Sequence, residues 1–162
     1  MKKILVLVYS ILIISCSGNE DTVTEDGSCF STGERTYKWT MVTTWPKNFP
    51  GLGMASENFS KYVDEMTCGR MQIKVYGAGE FVPALGVFDA VSQGNVQLGH
   101  GASYYWTGKV KSSQFFTAVP FGLTAQEMNG WLHYGGGMEL WEEAYAPFNL
   151  IPLAGGNTGV QM

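Results

Sequence analysis

A chain of 162 residues that is 45% hydrophobic and 14% aromatic carries enough apolar surface to bury a core, which excludes a disordered protein. Its formal charge of −4, from 14 acidic against 10 basic side chains, speaks against a nucleic acid as partner. Two histidines and three cysteines, without CxxC or HxxxH spacing, offer little for a metal centre, and His100 and His133 each read as ordinary satisfied polar residues.

The first segment stands apart from any core. Lys2 and Lys3 precede an apolar run from Ile4 to Ile14 and then Ser15 and Cys16, the charged start, short apolar stretch and small-residue end of an export signal. The run is too short to span a bilayer comfortably. The tetrapeptide Ile13-Ile14-Ser15-Cys16 resembles the lipobox of bacterial lipoproteins, which implies that residues 1–15 are removed and that Cys16 is acylated and anchors the protein to a membrane. An ordinary export signal ending near a cysteine is the plainer alternative. Loss of Lys2 and Lys3 with the leader would take the charge to −6. Residues 16–36, rich in Ser, Gly, Asn, Asp, Glu and Thr, read as a flexible tether between lipid and domain. Cys29 in the tether and Cys68 beyond it could pair in an oxidising compartment, and the sequence leaves that open.

The folded part begins near Tyr37 and runs to Met162. The run YKWTMVTTW, closed by Pro46, predicts a strand, and PKNFPGLG a turn-rich loop. Leu52, Ala55, Phe59, Tyr62 or Val63, and Met66 recur at helical spacing, with Gly69 placed as a cap. MQIKVY alternates as a half-buried second strand. A glycine loop, GAGE, follows, and Pro83 opens a helix carrying Leu85, Val87, Phe88 and Val91 that Gly94 closes. NVQLGH predicts a third strand, and GASYYWTGKV an aromatic loop.

Thr124 and Glu127 stand at the spacing of a capping box, opening a helix with Met128, Trp131 and Leu132 inward. Gly135 to Gly137 break it, Met138 to Tyr145 resume, Pro147 ends the second piece, and NLIPLA predicts a fourth strand. Strand and helix alternate at the distances of an α/β fold whose parallel sheet is built by crossovers. In such sheets ligands bind beyond the carboxyl ends of the strands, so the loops after Thr44, Tyr76 and His100 are where function belongs.

Signals for catalysis are few. GAGE is not a dinucleotide fingerprint, there is no P-loop or nucleophile elbow, and adjacent Glu142 and Glu143 point roughly 100° apart on a helix. The chain reads as a binding protein rather than an enzyme. Its loops carry aromatic residues and neutral amides instead: Trp45, Asn48, Phe49, Tyr104, Tyr105, Trp106, Asn157 and Gln161. Aromatic walls exclude water while hydroxyl and amide groups satisfy the oxygens of a small polar ligand.

WPKNFPGLG (45–53), GAGEFVPALGVFDAVSQG (77–94), GHGASYYWTGK (99–109), VPFGLTAQE (119–127) and GGNTGVQM (155–162) together resemble the extracytoplasmic solute-binding proteins of tripartite ATP-independent periplasmic (TRAP) transporters, in particular the subgroup that binds 2-oxo acids. The resemblance covers Tyr37 to Met162. It implies a periplasmic receptor of two α/β lobes closing over a small organic acid and handing it to a membrane permease. On that expectation the chain holds mainly the first lobe and the crossover into the second, because the family's carboxylate-binding arginine lies beyond the last block. Position by position, Tyr104 matches a tyrosine whose hydroxyl reaches the ligand, and Gln161 a glutamine at the ligand and its bound cation. Asn157 sits on the same loop as Gln161, while Trp45 and Phe49 match wall residues. The resemblance further implies a sodium ion accompanying the ligand and leaves room for a homodimer. A surface lipoprotein that binds a protein or glycan through its aromatic loops, without a transport role, is the competing reading.

Overall fold

The computed structural model describes residues 35–158. The leader, Cys16, the tether with Cys29, and Gln161 all lie outside the described residues. Cys68 is disulfide-bonded.

Three parallel strands form the sheet in the order β2-β1-β3: β1 Tyr37–Thr43, β2 Met71–Tyr76 and β3 Leu98–His100. β1 sits in the centre, pairing Tyr37 with Met71 through Val42 with Tyr76 on one side and Met41 with Leu98 through Thr43 with His100 on the other. The α/β expectation with parallel crossovers therefore holds. The central position explains why Met41, Val42 and Thr43 are buried, Val42 being only 1% exposed. β3 is shorter than NVQLGH predicts, because Val96 turns into the core and the side-chain amide of Gln97 accepts the Thr40 N–H at 2.9 Å in place of a ladder partner.

The crossover from β1 to β2 is the helix α1, Leu52–Met66. Its inner face differs from the predicted one. The structure buries Gly53 and Ser56, whereas Phe59, Tyr62 and Met66 stay 45%, 57% and 83% exposed. A close approach is the cause: a Cβ on Gly53 would collide with the Pro46 carbonyl, so α1 meets the loop after β1 through its smallest residues. Ser60 continues this seam by donating to the Ile73 carbonyl. The predicted cap is present, since Gly69 adopts a φ of 77° and donates its N–H to the Asp64 carbonyl at 2.8 Å.

The second crossover starts as a 3₁₀ turn, Ala84–Gly86, and continues as α2, Val87–Ser92. Val87, Phe88 and Ala90 pack inward, while Leu85 is exposed in the 3₁₀ turn. Gly99 of β3 lets α2 lie close, because a Cβ there would stand 2.8 Å from methyl carbons of both Val87 and Val91.

Beyond β3 the chain makes two further 3₁₀ segments, Ser103–Trp106, where the sequence predicts an aromatic loop, and Lys111–Phe116. The capping box at Thr124 forms as expected: Thr124 Oγ1 accepts from Glu127 N, and the Glu127 carboxylate accepts the Thr124 N–H at 2.8 Å. It opens α3, Ala125–Tyr134, which Gly135 ends; left-handed Gly136 then starts α4, Gly137–Tyr145. Phe116 stacks with both Trp131 and Trp141, with ring centroids 5.9 and 5.3 Å away and its plane 7° from each. These rings join Val42, Phe88 and Trp106 in the core.

The predicted fourth strand is not a strand. Residues 151–158 carry no regular secondary structure and, among the described residues, join no strand of the sheet, and Ile151 and Leu153 are 82% and 74% exposed. An apolar run becomes a strand only where a sheet edge receives its backbone groups. Among the described residues no helix is long and apolar enough to cross a membrane.

Candidate functional site

Parallel pairing brings the carboxyl ends of all three strands to one side of the sheet, where their loops are tied together. After β1, Trp45 donates its N–H to Thr43 Oγ1 at 2.9 Å, which turns the chain sharply at the strand end. The Trp45 carbonyl then accepts the Ala78 N–H at 3.0 Å, joining the loops after β1 and β2. Gly77 permits this approach, as a Cβ there would stand 2.9 Å from the Lys47 nitrogen. Glu80 closes the joint by accepting the Gly77 N–H at 2.8 Å and pairing with Lys47 at 3.0 Å. The Gly77 bond, with Lys47 in support, holds the Glu80 carboxyl below its ordinary range. The GAGE loop thus serves as a structural clasp.

The loop after β3 is fastened to β1 in the same manner. Thr44 donates its N–H to the His100 carbonyl at 2.9 Å, one step past the ladder. A Cβ on Gly101 would lie 2.9 Å from Thr44 Cγ2 and 3.0 Å from the Trp106 ring, so only glycine lets these three meet.

A continuous aromatic array results. The His100 imidazole meets Trp45 edge-on at 4.9 Å between ring centroids, Trp45 meets Tyr105 at 6.2 Å, and Tyr105 meets Tyr104 at 4.7 Å. Burial first, and the Tyr104 hydroxyl second, push the Tyr105 phenol above its ordinary value. The structure therefore brings together Trp45 and Tyr104 of the sequence-predicted residues. Phe49 stays 47% exposed on the same loop as Trp45, where its carbonyl accepts the N–H groups of Gly53 and Met54. Asn157 lies exposed in the segment 151–158.

His100 departs from its expected role as a satisfied polar residue. Its Nδ1 is buried without a hydrogen-bond partner, as is Oγ1 of neighbouring Thr44. Burial lowers the His100 pKa, so the imidazole is held neutral. The one sequence signal for this pair was position, since both residues stand at the carboxyl ends of predicted strands. Of the cations, Arg70 sits at the opposite, amino-terminal end of β2, where its carbonyl accepts the Tyr37 N–H at 2.7 Å. Among the described residues no group of His, Cys, Asp and Glu could hold a metal ion.

This geometry can be set beside known proteins. A monocarboxylate 2-oxoacid-binding periplasmic protein of Nostoc sp. (strain PCC 7120) is 47% identical over 125 residues, which make up 77% of this chain and 34% of that protein. The crystal structure of a TRAP periplasmic solute-binding protein from Pseudoalteromonas atlantica T6c, with bound sodium and pyruvate, superposes with a TM-score of 0.77 at 50% identity, covering 79% of this chain and 39% of that one. Another from Colwellia psychrerythraea, with bound calcium and pyruvate, gives 0.73 at 44% identity, covering 75% and 37%. The chain thus spans between a third and two fifths of the length of these relatives. Residues 41–162 match the family described as bacterial extracellular solute-binding protein, family 7, and the chain belongs to that family.

Proposed function

We propose that this chain forms the ligand-facing part of the first lobe of an extracytoplasmic receptor that captures a small 2-oxo acid and delivers it to the permease of a TRAP transporter. The observation that carries this reading is the aromatic array at the carboxyl ends of the strands, in a chain close to half identical to proteins named or solved as binders of 2-oxoacid and pyruvate.

In this reading Trp45 and Phe49 wall the ligand off from water, the Tyr104 hydroxyl donates to one of its oxygens, and Asn157 and Gln161 supply amides. A desolvated carboxylate also requires a charge-assisted partner. Arg70 lies at the wrong end of the sheet, and Lys47 is engaged with Glu80. In this reading the described residues contribute shape and neutral hydrogen bonds, and a cationic partner from the rest of a two-lobe receptor meets the carboxylate. A cation travels with pyruvate in the two solved relatives. In this reading Gln161 contributes an oxygen to such a cation, and among the described residues no group of three or more His, Cys, Asp and Glu is placed to hold one.

The finer assignments follow the same reading. Residues 1–15 are an export leader, 16–36 a tether anchored through acylated Cys16, and 37–162 the beginning of the solute-binding domain, with pairing of two receptors as a further feature. Pyruvate and longer 2-oxo acids at millimolar concentration, with sodium, should raise the thermal midpoint of the full-length protein, because a ligand that binds only the native state stabilises it. No shift with any small carboxylate would overturn the proposal.

A further inference from the structure

Behind the turn that carries Tyr104, four polar side chains meet inside the core. Ser103 Oγ donates to the Ser113 carbonyl at 2.6 Å, joining the two 3₁₀ segments. Around that bond, Ser113 Oγ, Trp141 Nε1 and Tyr145 OH are buried without hydrogen-bond partners. Ser113 is 0% exposed and Ser103 2%. The Tyr145 hydroxyl stands near enough to Trp141 and Ser103 for both to oppose the upward push of burial on its pKa, although no bond of standard geometry forms. Trp141 and Tyr145 meet edge-on, with ring centroids 5.8 Å apart. The orphaned atoms thus come from the second 3₁₀ segment and α4, and the Ser103 bond ties the first 3₁₀ segment to them.

Their chemistry is complementary to a single small partner. An indole N–H only donates, whereas a serine and a tyrosine hydroxyl each donate and accept. Buried waters are held by about three such groups at sites of this kind. We infer that Ser113 Oγ, Trp141 Nε1 and Tyr145 OH bind one internal water, and that this hydrated node positions the ligand-binding hydroxyl of Tyr104. Ser103 is the residue before Tyr104 in the same 3₁₀ turn and is bonded to Ser113, so the node sets where that turn sits on α4. Tyr145 is thereby a positioning residue that acts through Tyr104.

The positioning role rests on the 2-oxo acid reading, whereas the water does not, and two measurements on the full-length protein separate them. A high-resolution crystal structure should show one ordered water bonded to the three atoms; a dry node in which they bond directly to one another would overturn the site. Calorimetric titration with pyruvate should show Tyr145→Phe weakening binding about fivefold, the worth of one hydrogen bond. In the Tyr104→Phe background the same change should have little further effect, since coupled residues are not additive. Unchanged affinity, or full additivity, would overturn positioning. If Tyr145→Phe does not fold, Ser113→Ala removes one partner of the water and is read in the same cycle. Absence of pyruvate binding by the unaltered protein would refute the 2-oxo acid reading and with it the positioning role, leaving the water site to stand or fall on its density.

Discussion

The indole of Trp45 meets the imidazole of His100 edge-on with ring centroids 4.9 Å apart, and their strands are also joined here, because Thr44 donates its N–H to the His100 carbonyl at 2.9 Å. Side-chain and backbone contacts thus fasten the loops after β1 and β3 at the same point. Trp45 is the middle of the array, touching His100 on one side and Tyr105 on the other.

Trp45→Ala should therefore cost roughly 1–2 kcal/mol in stability through the lost aromatic pairs. On the 2-oxo acid reading it should also weaken pyruvate binding by more than Trp45→Phe, which keeps a ring in place. Urea denaturation and calorimetric titration of the two variants check this ordering.

His100 gives stability a pH dependence of known sign. Its folded pKa is lowered by burial, so the unfolded chain takes up the proton first as pH falls. This contribution is complete above the ordinary histidine value of about 6.5 and declines as pH drops below it toward the lower folded value. Denaturation between pH 8 and 5 should show the decline, as read with about those pH limits, and His100→Asn should flatten it.

Gly101→Ala should destabilise by about 1–3 kcal/mol, since the added carbon would press on Thr44 and Trp106. Gly108→Ala is the control: nothing lies within 4 Å of its Cβ position, and its effect should stay within about 0.5 kcal/mol. Thermal midpoints of the two variants distinguish the cases.

Thr124→Ala removes the side chain that caps α3 and should cost about 1 kcal/mol. The Thr124 N–H and hydroxyl hold the Glu127 carboxyl below its ordinary value, so the capping contribution is present above the unfolded carboxylate pKa and fades as pH falls through the folded one. Chemical denaturation at neutral and acidic pH, compared between the parent and the variant, tests both statements.

What the sequence disclosed depended on how local each signal was. The strand MQIKVY is β2 residue for residue, because a period-two pattern and a helix cap before it are both local. The Thr124 box is equally local. The inner face of α1 was not legible: its packing is decided by the approach of Gly53 to the Pro46 carbonyl, which no periodicity of large residues reports. NLIPLA failed for a related reason, since strand formation depends on a partner elsewhere in the chain. Within the site, Trp45 and Tyr104 could be named from loop chemistry and resemblance, whereas the orphaned atoms of Thr44 and His100 emerge only when β1 and β3 lie side by side.

The bond from Ala78 N–H to the Trp45 carbonyl, with Lys47 and Glu80 clasped outside it, makes the loops after β1 and β2 a single stiff body. Its conformational freedom was surrendered when the chain folded, so on the 2-oxo acid reading an arriving solute would meet a surface that needs no assembly. On that reading the ligand is spared the cost of ordering these two loops, and variants that loosen the clasp should bind it more weakly.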